Sequence, residues 1–270
     1  MQRAIAVLDS GVGGLTVVKE LMRQLPWEKI CYFGDTARAP YGPRPAEEVI
    51  AFTREIVDYL AQFEPKMIVI ACNTATAVAL EDIRSRVSLP VIGVIEPGAR
   101  AAIELTNVDR IGVIGTEGTI KSGAYAHALT KLAPRVQVVG LACPTFVPLV
   151  ENGLFRSKEA YIAVSEALQP LKSSEIDCLI LGCTHYPFLA APISEAMGKE
   201  VALVHSAEET AREIAATLTD GNQLAEAGTV PVHQFFCSGD PVKFQQIAQD
   251  WLGNPIRLAP VVWQIPQIRI

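Results

Sequence analysis

Nowhere does this chain hold an apolar run approaching the ~20 residues that a membrane-spanning helix requires; runs such as Met67–Cys72 end far short of it. The N-terminal apolar run stops at Asp9, too soon for the hydrophobic stretch of a secretory signal. The basic excess expected of a broad nucleic-acid surface is missing as well, since the net charge is −6 and the pI near 5.3. An anionic small molecule stays admissible, because its site needs only local donors. CxxC pairs are also lacking. Cys31, Cys72, Cys143, Cys178, Cys183 and Cys237 stand at scattered spacings, with neither the finger nor the ribbon pattern of structural zinc. A chain of 270 residues also has core enough to dispense with a disulfide framework. These absences predict a cytoplasmic protein with no nucleic acid, membrane or metal as partner.

What the chain has in quantity is short apolar, β-branched runs alternating with amphipathic stretches. Strands are expected at 4–8, 30–34, 67–71, 91–94, 111–114, 136–141, 179–181, 201–204 and 233–237. Between two of them, Val49, Phe52, Ile56, Leu60 and Phe63 recur at steps of three or four, the signature of a helix with one buried face. Continuous apolar strands separated by helices predict parallel sheets covered on both faces; only the last strand, 233–237, is expected to differ, its direction left open. Cys31 and Cys178 fall within such strands and read as small core residues.

Two strands end alike. Met67-Ile-Val-Ile-Ala runs into Cys72-Asn73-Thr74, and Cys178-Leu-Ile-Leu-Gly runs into Cys183-Thr184-His185, 111 positions later. The segment Ile5–Ser10 returns as Ile111–Thr116 at an offset of 106, and the strand before Glu96-Pro97 returns before His205-Ser206. The chain therefore reads as α/β, with two similar, doubly wound, mainly parallel-sheet domains related by pseudo-symmetry. Their expected extents are 1–95 completed by 207–270, and 96–206. The closing stretch supplies a helix, a strand and a helix, too little for a third domain. The apolar tail 261–270 can pack on the core or on a partner, which leaves a homodimer open.

Ligands of open α/β sheets bind beyond the carboxyl ends of the strands, and several polar groups are expected there. Asp9-Ser10-Gly11-Val12-Gly13-Gly14 follows the first strand, but Thr16 stands where a dinucleotide turn needs its third glycine, so no nucleotide cofactor is expected. The glycines instead let backbone N–H groups approach an anion. Asp9 can assist acid–base chemistry, bind an ammonium, or simply form an Asx turn. The proline-stiffened loop Asp35–Pro45 can offer the N–H groups of Tyr41 and Gly42 to a ligand, with Pro45 suited to the first turn of the next helix. A thiol at a helix N-terminus favours the thiolate, which makes Cys72 and Cys183 candidate bases or nucleophiles, and His185 lies two residues from the second of them. A nucleophilic mechanism needs only one sulfur. Two equivalent sulfurs suit removal of a proton from one face of a carbon and delivery to the other. Glu151 closes the apolar segment Pro148–Val150, near a helix end.

At these residues the chain resembles the glutamate racemases, cofactor-independent members of the aspartate/glutamate racemase superfamily. The matching blocks are Asp9–Gly14, Phe33-Gly34-Asp35-Thr36, Pro40-Tyr41-Gly42, Ala71-Cys72-Asn73-Thr74-Ala75 and Gly182-Cys183-Thr184-His185-Tyr186-Pro187. The resemblance implies interconversion of L- and D-glutamate for peptidoglycan, at a site in a cleft between two domains. It casts Cys183 as the base toward L-glutamate and Cys72 as the base toward D-glutamate. Asp9 and His185 become their respective helpers and Glu151 a further acidic site residue. Ser10, Tyr41, Gly42, Asn73, Thr74, Thr184, and again Asp9 and His185, become substrate contacts.

Three other readings compete. A racemase of aspartate or a related acid would use the same thiols. A Cys-His amidohydrolase would leave Cys72 without a task, and the sequence after Cys183 lacks the second glycine of a nucleophile elbow. A two-lobed amino-acid-binding module would hold its ligand without exchanging the α-proton.

Overall fold

The computed structural model describes residues 3–253 and the backbone of 261–264. Two compact units make up the chain: Met1–Val94 with Ala207–Ile270, and Ile95–Ser206. Each is built on one parallel sheet.

In the first unit the strands are β1 (Ile5–Asp9), β2 (Ile30–Gly34), β3 (Met67–Ile70) and β4 (Val91–Gly93). In the second they are β5 (Arg110–Gly115), β6 (Gln137–Ala142), β7 (Cys178–Gly182) and β8 (Ala202–Val204). The chain then returns to the first unit with β9 (His233–Cys237) and β10 (Val261–Gln264). The sheet orders are β10-β9-β2-β1-β3-β4 and β6-β5-β7-β8. The first four strands of each unit thus follow one order, 2-1-3-4, and the echo between the thiol-bearing strands is an equivalence of position: β3 and β7 each lie beside the first strand of their unit. Every pairing is parallel, which corrects the expectation for the last expected strand: β9 does not differ from the rest but extends the sheet in parallel beside β2.

Both faces of the first sheet are covered, which explains its continuously apolar strands. Alternate residues point to opposite sides. Ile5, Val7, Tyr32, Val69 and Phe235 pack under the helices Leu15–Gln24, Ala207–Asp220 and Pro241–Leu252, whereas Ala6, Leu8, Phe33, Ile70 and Phe236 pack under Ala46–Ala61 and Asn73–Arg86. Each fully buried Ile, Val or Phe is worth roughly 1.5–3 kcal/mol, which lets the strand ends carry buried polar groups that cost stability. In the second unit, β5 and β7 form the buried centre and β6 a half-exposed edge.

Some expectations need correction. The strand β10 lies in the tail, where none was expected. How the rest of the tail, 265–270, packs lies outside the described residues. Pro45 is the residue before the helix Ala46–Ala61, extended at ψ 146°, and not part of its first turn; Phe63 follows that helix. Cys183 does not open an α-helix. It precedes a short 3-10 helix, Tyr186–Leu189, with Pro187 in its first turn, and the α-helix begins only at Ala190. Pro187 lacks the N–H that a regular helical turn uses at that position.

Candidate active site

In both sheets the chain passes from the first strand to a neighbour on one side, then crosses back to the other side of the first strand. The loops leaving β1 and β3 therefore part in opposite directions, as do those leaving β5 and β7, and this divergence opens a crevice at the carboxyl ends of the strands. The two cysteines stand at these switch points, one in each unit.

In the first unit, Cys72 is the N-cap of Asn73–Arg86, and its sulfur accepts the Ala75 N–H at 3.5 Å. The Cys72 thiol lies 3.6 Å from Ser10 Oγ at the end of β1. Thr76, one turn into the helix, donates its hydroxyl to the Ile70 carbonyl at 2.8 Å, which ties the helix start to the strand end. Asp9 is fully buried, and one of its carboxylate oxygens accepts the Gly11 N–H at 2.9 Å. The Asx turn is therefore real. It fixes the carboxylate beside the turn rather than leaving it mobile. Gly14 is required for this arrangement, since a Cβ there would lie 2.6 Å from the Asp9 Cβ. The Tyr32 phenol, donated to the Gly11 carbonyl at 2.8 Å, has its pKa pushed well up, first by burial and then by Asp9 and Cys72 nearby.

The loop after β2 forms the next part of this unit's strand-end rim. Tyr41 and Gly42 are both buried. Among the described residues, neither backbone N–H has a protein acceptor, and buried N–H groups in this condition call for a ligand or ordered water. The Tyr41 hydroxyl is already committed, because it donates to Asp35. Burial, with Asp35 beside it, raises the phenol's pKa and keeps it protonated. What Tyr41 has left to offer a ligand is its backbone N–H. Arg38 Nε joins the same Asp35 oxygen at 2.6 Å, and Ser238, just past β9, donates to the other at 2.6 Å. Asp35, Arg38 and Ser238, which no reading of the sequence had singled out, thus brace this loop. Asp35 stands in a matched block, but Ser238 lies 203 positions from it, with no local pattern to mark it.

In the second unit, Cys183, Thr184 and His185 are all buried. His185 Nδ1 lies 3.8 Å from Cys183 Sγ, and its Nε2 is 3.3 Å from Glu151 Oε1. Glu151 is the last residue of the helix Phe146–Glu151 and is partly exposed. A carboxylate facing Nε2 favours the tautomer whose proton is there, and Nδ1 is the ring nitrogen turned toward the thiol. Tyr186 donates its phenol to the Cys143 carbonyl at 2.8 Å and packs edge-on against Phe146, holding the turn behind the thiol in place.

All six cysteines are free thiols. Burial pushes Cys31, Cys143 and Cys178 up to about 12 and Cys237 up to about 11, so these four are inert near neutral pH. Cys31 and Cys178 are core residues, wholly shielded from solvent, whereas Cys72 and Cys183 keep 5% and 7% exposure at the rims. Among the described residues no cluster of three or more His, Cys, Asp or Glu side chains could hold a metal, and no helix is long and apolar enough to cross a membrane.

The first unit thus brings together Asp9, Ser10, Cys72, Asn73 and Thr74 around one thiol, with Tyr41 and Gly42 along the same strand-end rim. The second brings Thr184, His185 and Glu151 around the other. Comparison with known proteins is consistent across the chain. The Asp/Glu/hydantoin racemase family matches over residues 12–214. A glutamate racemase from Oceanobacillus iheyensis is 57% identical over 251 residues, covering 92% of this chain and 91% of that protein. Among solved structures, a glutamate racemase isoform from Bacillus anthracis superimposes with a TM-score of 0.93 at 48% identity, covering 99% of both chains. A glutamate racemase from Francisella tularensis, crystallised with D-glutamate, gives a TM-score of 0.89 at 34% identity, with 98% of each chain covered.

Proposed function

The chain belongs to the Asp/Glu/hydantoin racemase family, and on that premise we propose that it interconverts L- and D-glutamate without a cofactor, with Cys72 and Cys183 as the two proton-transferring groups. The observation that carries this reading is the equivalent placement of the thiols. Each follows the strand beside the first in its unit, and each has its own polar neighbours, Ser10 for Cys72 and His185 for Cys183.

Starting from L-glutamate, the Cys183 thiolate removes the α-proton. The C–H bond breaks, an S–H bond forms, and the electron pair stays on the substrate, delocalised toward its α-carboxylate. Cys72 then gives up its thiol proton to the opposite face of the same carbon. Cys72 is left as the thiolate and is ready to accept a proton from D-glutamate. His185, steadied by Glu151, manages the charge on Cys183, and Asp9 does so for Cys72. The α-proton is only weakly acidic, so the carbanion needs donors aimed at the α-carboxylate. Asn73 and Thr74 at the helix start, Ser10, and Thr184 in the other unit supply them.

The substrate's length follows from sheet order. The loop after β2 lies two strands from β3, roughly 10 Å across the sheet. The buried N–H groups of Tyr41 and Gly42 are therefore suited to the side-chain carboxylate, away from the reacting carbon, and the longer side chain of glutamate spans this gap better than that of aspartate. The product serves peptidoglycan assembly. The setting is the cytoplasm, where thiols stay reduced.

Exchange of the α-proton in D₂O, measured with both enantiomers of glutamate and of aspartate, tests the reading. We expect exchange and racemisation with glutamate, and loss of racemisation in both Cys72→Ala and Cys183→Ala. Binding without exchange would leave a binding module, and substantial racemisation by either single variant would sink the two-thiol mechanism.

A further inference from the structure

Beside the catalytic thiols, the first unit holds a buried carboxylate to which the chemistry above gives no task. Asp35 is fully shielded from solvent. Burying a carboxylate is costly unless its oxygens are well bonded, and an apolar residue would seal the same loop at lower cost. Asp35 is tied in from several sides. One oxygen takes the Tyr41 phenol and Arg38 Nε, and the other takes the Ser238 hydroxyl. Its own N–H donates to the Asp9 carbonyl at 3.0 Å, and its carbonyl accepts the N–H groups of Arg38 and Ala39. Arg38 is held in turn by Glu55 at 2.6 Å and lies 4.2 Å above the Phe52 ring. The Tyr41 ring packs on the same Phe52. The turn is thereby referenced to the ends of β1 and β9 and to the helix Ala46–Ala61 at once.

We propose that Asp35 is a positioning residue. Through the Tyr41 phenol, and braced by Arg38 and Ser238, it sets the angle at which the Tyr41 and Gly42 N–H groups meet the substrate's side-chain carboxylate. This rests on the racemase reading above. The charge of that carboxylate does not change during proton transfer, so its contacts act equally on ground and transition states. Loosening them raises KM and leaves kcat nearly untouched. A residue that merely stabilised the fold would change the amount of active protein without separating the two constants.

The test is steady-state racemisation of L- and D-glutamate by Tyr41→Phe, Asp35→Asn, their double variant and Ser238→Ala. Tyr41→Phe and Asp35→Asn each raise KM by about tenfold, the equivalent of one charge-assisted hydrogen bond, with kcat within about twofold. Because both act through one contact, the double variant stays within about twofold of the worse single variant. Ser238→Ala, the mildest change and the safeguard if Asp35→Asn does not fold, raises KM by about threefold with the same split. Unchanged KM in Tyr41→Phe and Ser238→Ala, or multiplicative effects in the double variant, overturns the positioning role alone. Absence of glutamate racemisation by the unmodified protein refutes the functional reading and this inference with it.

Discussion

Replacing His185 by asparagine removes the imidazole that faces Cys183, and the expected consequence is unusual in form. The ring is buried, with Nδ1 3.8 Å from the sulfur and Nε2 3.3 Å from Glu151. Loss of a hydrogen bond to a charged group costs about 1.5–3 kcal/mol, or roughly a 10- to 150-fold drop in rate. Loss of proton management by a positioned side chain typically costs ~10²–10⁴-fold. A fall of about 10²-fold in kcat/KM is therefore expected, at the overlap of the two ranges. It must be the same in both directions, because the enantiomers have equal free energies in water and the ratio of the two kcat/KM values is held at unity. The asymmetry has to be sought elsewhere. In the variant, proton transfer at Cys183 becomes limiting. On the proposed mechanism, glutamate deuterated at the α-carbon then shows a large primary isotope effect when the L-enantiomer is the substrate, because Cys183 would break that bond. It shows a much smaller one with the D-enantiomer, whose deuteron is removed at Cys72 before the slow step. Equal isotope effects from the two enantiomers, or a loss below about threefold, would refute the assignment of His185 to the Cys183 side.

Two further expectations concern stability. His233 is buried with its Nδ1 accepting the Ile30 N–H at 3.2 Å, and burial, with Lys29 nearby, lowers its pKa from 6.5 to about 4. The unfolded chain binds the extra proton between these values. Stability is thus present in full above pH 6.5 and lost as the pH falls toward 4, by roughly 2–3 kcal/mol. Urea unfolding of His233→Gln should show a flatter profile across that window, and an unchanged slope would exclude His233 as its source. The second expectation concerns the Glu28–Lys66 pair, which is buried at 2.5 Å and also holds the Ala225 N–H and the Gln223 carbonyl. Lys66→Met leaves the carboxylate unpaired and should cost about 3–5 kcal/mol in urea unfolding, with most of it recovered by adding Glu28→Gln. A single-variant loss under about 1 kcal/mol would mean that the pair is screened like a surface bridge.

The strands and the thiols were legible because their signals are local. Apolar runs of four to six residues ending in Cys72-Asn73-Thr74 or Cys183-Thr184-His185 carry both the buried strand and the polar rim in one stretch of chain. The Asx turn of Asp9 was legible for the same reason, its acceptor and donor being two residues apart. Where the second copy departed from the first, one residue decided it: Pro187 turned the expected helix start after Cys183 into a 3-10 turn, so that His185, and not an α-helix N-terminus, stands beside that sulfur.

From the sequence alone came the alternation of strands and helices, the repeat that carries the two cysteines, and the kind of chemistry two thiols can do, since each depends on residue type and short-range order. Only the tertiary structure decided the strand order 2-1-3-4 in both sheets, which sets each thiol at a switch point. It also decided that Ser238 closes on Asp35 across 203 positions and that Glu28 and Lys66 share one buried pair. Those pairings arise from packing two faces of a sheet around a common core, and no local pattern in the chain encodes which distant residue will arrive at which strand end.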